Sequence, residues 1–317
     1  MSSTEILDVD VAAFERGGRG ARSAVIDGVR TSLASGFVYT SHTLSEDLLD
    51  TAYGMLAQFF ALPTERKEQW RAPHTHGQTG YTGLAVETAV GADQADWKEM
   101  LNWGVALPAG HPLRVRYPHR YPDQRLPEAD VPGITSVLGA FYDGVLALQA
   151  KVLRILAIGL GCDEAFFDDL LEDGSHLARA IHYPVMTGGA PGAMWAGPHA
   201  DINLITALPR ASGPGLQIQQ GDAWIDVIPP SGHVVINAGI MLERLTNARI
   251  PARRHQVVAA AGAVERYSVV QFCHPAPWFH LEPISSCIDA AHPRRYGTIE
   301  AGALLDRVIY DLGLVRD

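Results

Sequence analysis

The sequence predicts a mainly β core, a barrel or jelly roll, with helices packed before and after it. After residue 175, short β-rich runs follow one another with Gly- and Pro-containing turns between them, which is typical of a sandwich or barrel. In the first half of the chain, apolar residues recur mostly at three- and four-residue steps, as in amphipathic helices. The tail, Glu300–Leu314, has the pattern of one further helix.

The region before the core is predicted to be mostly helical. Helical spacing covers residues 19–34 and 45–60, with a short strand, Gly36–Thr40, between them. The segment Thr64–Pro132 is rich in Pro, Gly and His and is predicted to be irregular. The longest helical pattern runs from Ile134 to Leu160 and ends at glycines.

Seven β-rich runs make up the predicted core. They are Ala178–Tyr183, Leu204–Leu208, Leu216–Gln219, Trp224–Val227, His233–Asn237, Gln256–Ala260 and Tyr267–Phe272. We therefore expect a single domain over residues 1–317, with a mostly helical region at 1–165, a jelly-roll core at 175–290 and a C-terminal helix at 298–317.

Composition and charge exclude some classes of function. Of the 317 residues, 47% are hydrophobic and 19% are charged, which is ordinary for a globular protein. The formal net charge of −10 argues against a nucleic-acid partner, because such binding needs a basic surface. No apolar run is long enough to span a membrane, so we expect no membrane association. The pattern does not indicate an oligomeric state.

The cysteines and the N-terminus bear on the cellular compartment. The three cysteines form no C-x-x-C motif and, being odd in number, no disulfide framework. The first residues lack a basic region followed by a long apolar stretch, so we expect no signal peptide and a cytoplasmic protein.

A metal site is indicated by His199-Ala-Asp201. Residues two apart on a strand share a face, so the imidazole and the carboxylate could point the same way. Two His and one carboxylate on one face of an octahedron suit non-haem Fe(II), because three positions stay open. His255, at the start of a predicted strand, is the candidate third ligand.

The His-x-Asp pair alone is weak evidence. With 13 histidines in the chain, about one such pair is expected by chance. A competing pair, His280-Leu-Glu282, has only His292 as a downstream partner. The first pair is preferred because Arg266-Tyr-Ser268 follows His255 by eleven residues. A guanidinium and a hydroxyl on one strand face could together grip a carboxylate.

Taken together, these motifs resemble the isopenicillin N synthase-like branch of the Fe(II)/2-oxoglutarate-dependent dioxygenases. The resemblance covers most of the chain and is most specific between Gly197 and Phe272. It is carried by Gly36-Phe-Val-Tyr39, Phe59-Phe-Ala-Leu-Pro63, Asp96-Trp-Lys-Glu99, Ile181-His-Tyr-Pro184, Pro198-His-Ala-Asp-Ile-Asn-Leu-Ile-Thr206, Gly215-Leu-Gln217, Val235-Ile-Asn-Ala-Gly239, Leu245-Thr-Asn247 and Glu265-Arg-Tyr-Ser268. It implies a double-stranded β-helix, a jelly-roll type of core.

The resemblance also implies roles for individual residues. His199, Asp201 and His255 would be the iron ligands, and Arg266 and Ser268, helped by the Tyr183 hydroxyl, would bind the distal carboxylate of 2-oxoglutarate. Five further residues are expected to contact the substrate. Phe272 and His274 are expected by alternation along the strand of Arg266, and Asn203 by its spacing of two residues from Asp201. Met241 and Trp195 are expected because of their positions in the family's arrangement.

Three functions stay open at this point. The first is an oxygenase, as in specialised metabolism, that uses Fe(II), 2-oxoglutarate and O2 to hydroxylate, desaturate or cyclise a small molecule. The second is an isopenicillin N synthase-type oxidase without 2-oxoglutarate. It is favoured by Ile181 and Ile240, where many 2-oxoglutarate users have Asn and Asp, and it would use Arg266 and Ser268 for a substrate carboxylate. The third is a non-catalytic binding module, for which an intact metal triad would not be needed.

Overall fold

Three long helices precede the core in the computed structural model, which describes residues 5–75, 77–87, 94–186, 194–259 and 265–311. They are α2 (Arg19–Leu33), α3 (Glu46–Phe60) and α6 (Ile134–Gly159), within two residues of the predicted bounds. Ser45 caps α3 by accepting a hydrogen bond from the Leu48 amide. The predicted apolar residues of α6, from Leu138 to Leu156, are buried.

The remaining elements are shorter. The other helices are α1 (Ala13–Arg16), α4 (Thr64–Glu68), α5 (Pro112–Arg116), α7 (Asp168–Leu171), α8 (Ile240–Leu245) and α9 (Ala301–Asp311), and a 3₁₀ turn covers Ser285–Cys287. The strands are β1 (Asp8–Val9), β2 (Phe37–Thr40), β3 (Gly80–Thr82), β4 (Glu99–Gly104), β5 (Leu177–Tyr183), β6 (Ala196–His199), β7 (Ile205–Ala211), β8 (Leu216–Gln220), β9 (Ala223–Asp226), β10 (Val234–Ala238), β11 (His255–Val257), β12 (Arg266–Cys273), β13 (His280–Leu281) and β14 (Ile299–Glu300).

A large and a small sheet form the core. The large sheet has the strand order β1-β2-β10-β7-β12-β5-β4-β3 and is antiparallel except for the pair β1–β2. The small sheet has the order β6-β11-β8-β9 and is antiparallel throughout. This is the mainly β architecture with flanking helices that the sequence predicts.

The two faces of the large sheet have different surroundings. Side chains alternate along a strand, so every second residue faces the helices. On β5, β10 and β12 these are Ala178, Ala180, Val234, Ile236, Val269 and Cys273, which join the main apolar core with α6. Gln149 of α6 donates hydrogen bonds to the carbonyls of Ile205 and Gln271 and so fixes the helix on the sheet. The intervening residues face the small sheet, and a cavity lies between the two sheets.

The structure differs from the predictions in two segments. Residues 64–132, predicted to be irregular, contribute β3 and β4 to the large sheet, because Glu99–Gly104 pairs along β5 in continuous register. The predicted strand at Gln256–Ala260 is shorter, with β11 ending at Val257. Residue 260 and the end of the C-terminal helix, residues 312–317, lie outside the described residues.

Candidate metal centre

Two histidines meet on adjacent strands of the small sheet. His199 is the last residue of β6 and His255 the first of β11, and the two are directly opposite in the antiparallel register. Opposite residues of such a pair have close side chains. The two imidazole rings lie 4.4 Å apart, centroid to centroid.

The carboxylate of Asp201 lies beside the two imidazole rings, although Asp201 belongs to a loop and not to a strand. The strand β6 ends at His199, so the shared strand face that the sequence suggested is not what aligns the pair. Instead, the Ile240 amide donates a hydrogen bond to the Asp201 carbonyl, 2.8 Å away. Gly239 permits this approach, because a Cβ at that position would lie 2.2 Å from the Asn203 carbonyl oxygen.

Among the residues that the structure describes, every polar atom of these three side chains has a hydrogen-bond partner except the three atoms that face one another. The His199 Nδ1–H donates to the Gly197 carbonyl at 2.8 Å, and the His255 Nδ1–H to the Arg253 carbonyl at 3.3 Å. One carboxylate oxygen of Asp201, Oδ2, accepts from Thr206 Oγ1 (2.5 Å) and Asn237 Nδ2 (2.8 Å). The other, Oδ1, lies 3.9 Å from His199 Nε2 and 3.8 Å from His255 Nε2, too far for a hydrogen bond.

The electrostatics keep His199 and Asp201 in the forms that bind metals. Burial, with His255 and Lys98 nearby, lowers the pKa of His199 to about 4, so its imidazole is neutral at pH 7. Burial would raise the pKa of the Asp201 carboxyl. The adjacent histidines and the hydrogen bonds from Thr206 and Asn237 outweigh it and hold this pKa below its ordinary value.

The donor set fits a single metal ion. The three donor atoms lie within 4.8 Å of one another, and no other such group of His, Cys, Asp or Glu occurs in the described ranges. Two ligands with bonds of about 2.1 Å can be at most about 4.2 Å apart, so both Nε2···Oδ1 distances already suit a shared ion. Each histidine donates its second N–H to a carbonyl, as metal-bound histidines almost always do.

The competing His280/Glu282 pair has a different environment. Both side chains are more than half exposed, and they lie at the edge of the two-stranded β13–β14 sheet. Glu282 is paired with Arg294 at 3.1 Å.

Arg266, Ser268 and Tyr183 lie together at one end of the cavity, and we call this end the Arg266 end. The guanidinium donates Nε–H to the Gly213 carbonyl (3.1 Å) and Nη1–H to Ser268 Oγ (3.0 Å), and its carbon lies 5.1 Å from the centre of the Tyr183 ring. All three side chains are almost fully buried. Arg266 has no carboxylate partner among the residues that the structure describes.

Of the five residues predicted to contact substrate, the structure brings Phe272 to the cavity wall. The other four lie elsewhere in the described part of the chain. Asn203 donates to the Ile205 carbonyl and to Thr206, Met241 is in the main apolar core, and Trp195 packs 5.5 Å from Tyr183 with its N–H on the Pro184 carbonyl. His274 lies one residue past the end of β12, buried beside His176.

The cavity wall also contains two cations that the sequence analysis missed, Lys98 and Arg179. Arg179 could have been found, because it precedes Tyr183 by four residues on β5 and so shares its face. Lys98 belongs to a motif noted only for its family resemblance. Its neighbour Asp96 accepts a hydrogen bond from the Gly197 amide at 2.9 Å, next to the carbonyl that holds His199.

Together, a jelly-roll core and an open His-Asp-His site between its sheets define the class of non-haem metal-dependent oxygenases. Two family models match the chain. The N-terminal region of non-haem dioxygenases of the type found in morphine synthesis matches residues 9–124, and the 2OG-Fe(II) oxygenase superfamily matches residues 175–275.

Known proteins are similar over almost the whole chain. A 2OG-Fe(II) oxygenase family protein from Caulobacter crescentus has 33% identity and a TM-score of 0.85, with 97% of this chain and 99% of that one covered. A full-length protein from Neurospora crassa, solved in complex with α-ketoglutarate, has 27% identity and a TM-score of 0.85, with 96% and 95% covered. Mugineic-acid 3-dioxygenase of Hordeum vulgare is 28% identical, with 95% of this chain and 83% of that protein covered.

The chain belongs to the 2OG-Fe(II) oxygenase superfamily. It is an Fe(II)- and 2-oxoglutarate-dependent dioxygenase that acts on a small molecule. The comparisons do not favour the alternative of an oxidase without 2-oxoglutarate. Ile181, one of the departures that suggested it, is an apolar residue of the cavity wall packed in a cluster with Met100.

Proposed function

We propose that His199, Asp201 and His255 hold the Fe(II) and that the Arg266 end binds the distal carboxylate of 2-oxoglutarate. The observation that carries the first assignment is the convergence of two imidazole Nε2 atoms and one carboxylate oxygen, each without a hydrogen-bond partner among the described residues. An arrangement built for hydrogen bonding alone would bring a donor toward Asp201 Oδ1.

The second assignment rests on the charge of Arg266. A buried guanidinium without a counter-charge is costly, because the Gly213 carbonyl and the Ser268 hydroxyl replace only part of its lost hydration and neither carries a charge. A carboxylate arriving at this end would supply the missing charge and could accept two parallel N–H bonds. Ser268 Oγ lies 3.0 Å from the guanidinium and would add a hydrogen bond from the same strand face.

When bound, Fe(II) supplies the activation of O2 that oxidises a C–H bond of the substrate. The chain's own share is positioning and exclusion of water. Thr206 and Asn237 orient the Asp201 carboxylate, and the backbone carbonyls orient both imidazoles. Aliphatic residues of the cavity wall, among them Leu208, Leu216, Val235 and Val257, help to exclude water.

The test uses the visible charge-transfer absorption of 2-oxoglutarate chelated to Fe(II). Anaerobic wild-type protein mixed with Fe(II) and 2-oxoglutarate should give this band, and admission of O2 should yield succinate. Asp201→Ala should give neither while keeping the wild-type circular dichroism spectrum. A band of wild-type intensity in that variant would overturn the metal assignment.

We also propose that residues 1–317 form one folding unit. Strands β2, β3 and β4 from the helical region belong to the same sheet as β5, β7, β10 and β12, which supports this. A single cooperative transition in thermal unfolding, followed by both tryptophan fluorescence and circular dichroism, is expected. Two separated transitions would contradict it.

A cytoplasmic location is the last part of the proposal. Cys162, Cys273 and Cys287 are all free thiols in the structure, which suits a reducing compartment. In the part of the chain that is described, no helix is long and apolar enough to cross a membrane. Cell fractionation should find the protein with cytoplasmic markers, and recovery with secreted or periplasmic markers would contradict the location.

A further inference from the structure

The cavity lies between the two sheets, and the paired strands β5 and β12 of the large sheet run along it from one end to the other. Tyr183 is opposite Arg266 at one end, whereas Arg179 is opposite Val270, four residues further along both strands. At about 3.3 Å per residue, four residues correspond to roughly 13 Å. Phe272 extends the wall two residues further. The ligands His199 and His255 face the cavity from the small sheet, and Asp201 faces it from the loop after β6.

Arg179 and Lys98 are held in place at this second end, which we call the Arg179 end. The Arg179 Nε–H donates to Asn102 Oδ1 at 2.7 Å, and the guanidinium carbon lies 5.6 Å from the centre of the Phe272 ring. The Lys98 ammonium lies 2.8 Å from Asp96 Oδ2 and 3.2 Å from Glu87 Oε2. Both cations line the cavity.

Unlike Arg266, these cations are already neutralised. Glu87 lies between them, with Oε1 3.6 Å from Arg179 Nη1 and Oε2 close to Lys98. Burial would raise the pKa of Glu87, but Arg179 and Lys98 lower it to about 2, so this carboxylate is ionised at pH 7. With Asp96, the cluster contains two positive and two negative charges.

N–H donors nevertheless remain available at the Arg179 end. A guanidinium has five N–H groups, and among the described residues only the Nε–H of Arg179 is in a short hydrogen bond. The ammonium of Lys98 has three N–H groups for two carboxylates. This end therefore offers donors without a net positive charge.

We propose that the Arg179 end binds the primary substrate through a neutral carbonyl oxygen, of the amide or lactam class, carried on a ring that packs against Phe272. This inference rests on the proposed function, because it takes the Arg266 end for 2-oxoglutarate. A carbonyl oxygen accepts from Arg179 and Lys98 and adds no charge. A carboxylate would bring a third negative charge beside Glu87 and Asp96 in a partly dry pocket, where like charges repel more strongly than in water.

Benzamide and benzoate test this choice, because they have nearly the same shape and differ in charge. Each is added to the anaerobic wild-type protein with Fe(II) and 2-oxoglutarate, and its binding is measured from the relaxation of its ring protons by NMR. Fe(II) also broadens the protons of a ring that lies beside it. Benzamide should bind more tightly than benzoate, roughly tenfold or more, and its ring protons should be broadened by the iron.

Two variants separate charge from packing. In Glu87→Gln the neutralising charge is lost, so the preference should move toward benzoate by on the order of tenfold or more. In Arg179→Gln the binding of benzamide should weaken by about tenfold, because a charged hydrogen-bond donor is lost. Arg154→Gln, which breaks an exposed pair with Asp168, is the control and should change neither.

The outcomes also separate this inference from the proposed function. The charge-transfer band is recorded on the same samples, so a missing band counts against the 2-oxoglutarate site whatever the probes do. With the band present, tighter binding of benzoate by the wild type, binding of neither probe, or an unchanged preference in Glu87→Gln would each overturn the neutral-carbonyl assignment.

Discussion

The two ends of the cavity each present an arginine, and the arginines differ in what surrounds them. Arg266 donates to a carbonyl and a hydroxyl and faces an aromatic ring, with no carboxylate partner among the described residues. Arg179 donates to an amide oxygen and has Glu87 beside it. In our proposal, the same residue type therefore binds an anion at one end and a neutral acceptor at the other.

This difference explains how one cavity could bind two different ligands, each at its own end. Shape alone discriminates weakly between small molecules of similar size, whereas an uncompensated buried charge strongly favours an anion. We propose that the counter-charge of Glu87, more than the arginine itself, sets which ligand the Arg179 end accepts. The predictions below test this contrast, beginning with the metal that both ends share.

The comparison of the two ends assumes a metal ion between them. Loss of that ion should therefore have the largest effect on activity. His199→Ala and His255→Ala should each lose most of their iron, and oxygenase activity should fall at least a thousandfold, because the remaining donors cannot hold the ion in an open site. Iron analysis after gel filtration measures this. His280→Ala, at the exposed competing pair, should keep the full iron content, and the reverse pattern would move the metal to that pair.

The support of Asp201 gives the next largest effect. Thr206→Val removes the hydroxyl donor to Asp201 Oδ2 with little change in volume, and Asn237 remains as a donor. Iron affinity should fall by roughly 10- to 100-fold, as for other residues that orient metal ligands. A chelator competition measures it. An unchanged iron affinity with a lowered melting temperature would mean that Thr206 only stabilises the fold.

A smaller effect is expected from a substitution at the Arg266 end, on the affinity for 2-oxoglutarate. Ser268→Ala removes one hydrogen bond at a buried position, so the affinity for 2-oxoglutarate should fall by about tenfold. Anaerobic titration of the charge-transfer band gives this affinity. Iron content should not change, and a loss of iron would show that the substitution disturbs the metal site instead.

The sequence predicts most of the core because its strands carry clear alternation and its helices a clear period. The predicted strands at Ala178–Tyr183 and Leu216–Gln219 agree with the structure to within one residue. The strand β4 was missed because Glu99–Gly104 mixes Asn, Trp and Gly with apolar residues. Its position depends on pairing with β5, which is a long-range contact that local pattern does not encode.

The residues of the site also divide into those that the local sequence pattern predicts and those that depend on long-range contacts. Phe272 follows from alternation with Arg266 and Ser268, but His274 does not reach the cavity, because β12 ends at Cys273 and the alternation ends with it. Glu87 has no local pattern that links it to Arg179, and only the fold brings the two together. The charge state of the Arg179 end therefore could not be predicted from the sequence.

The most direct test of the central claim compares the two arginines in one assay. The affinity for 2-oxoglutarate is measured by anaerobic titration of the charge-transfer band in Arg266→Gln and in Arg179→Gln, with iron content as the control. Loss of one partner of a desolvated pair costs about 2–5 kcal/mol, so Arg266→Gln should weaken binding by roughly 30- to several-thousand-fold. Arg179→Gln should leave it within a few fold of wild type. Equal weakening in both variants, or weakening only in Arg179→Gln, would contradict the assignment of the two ends.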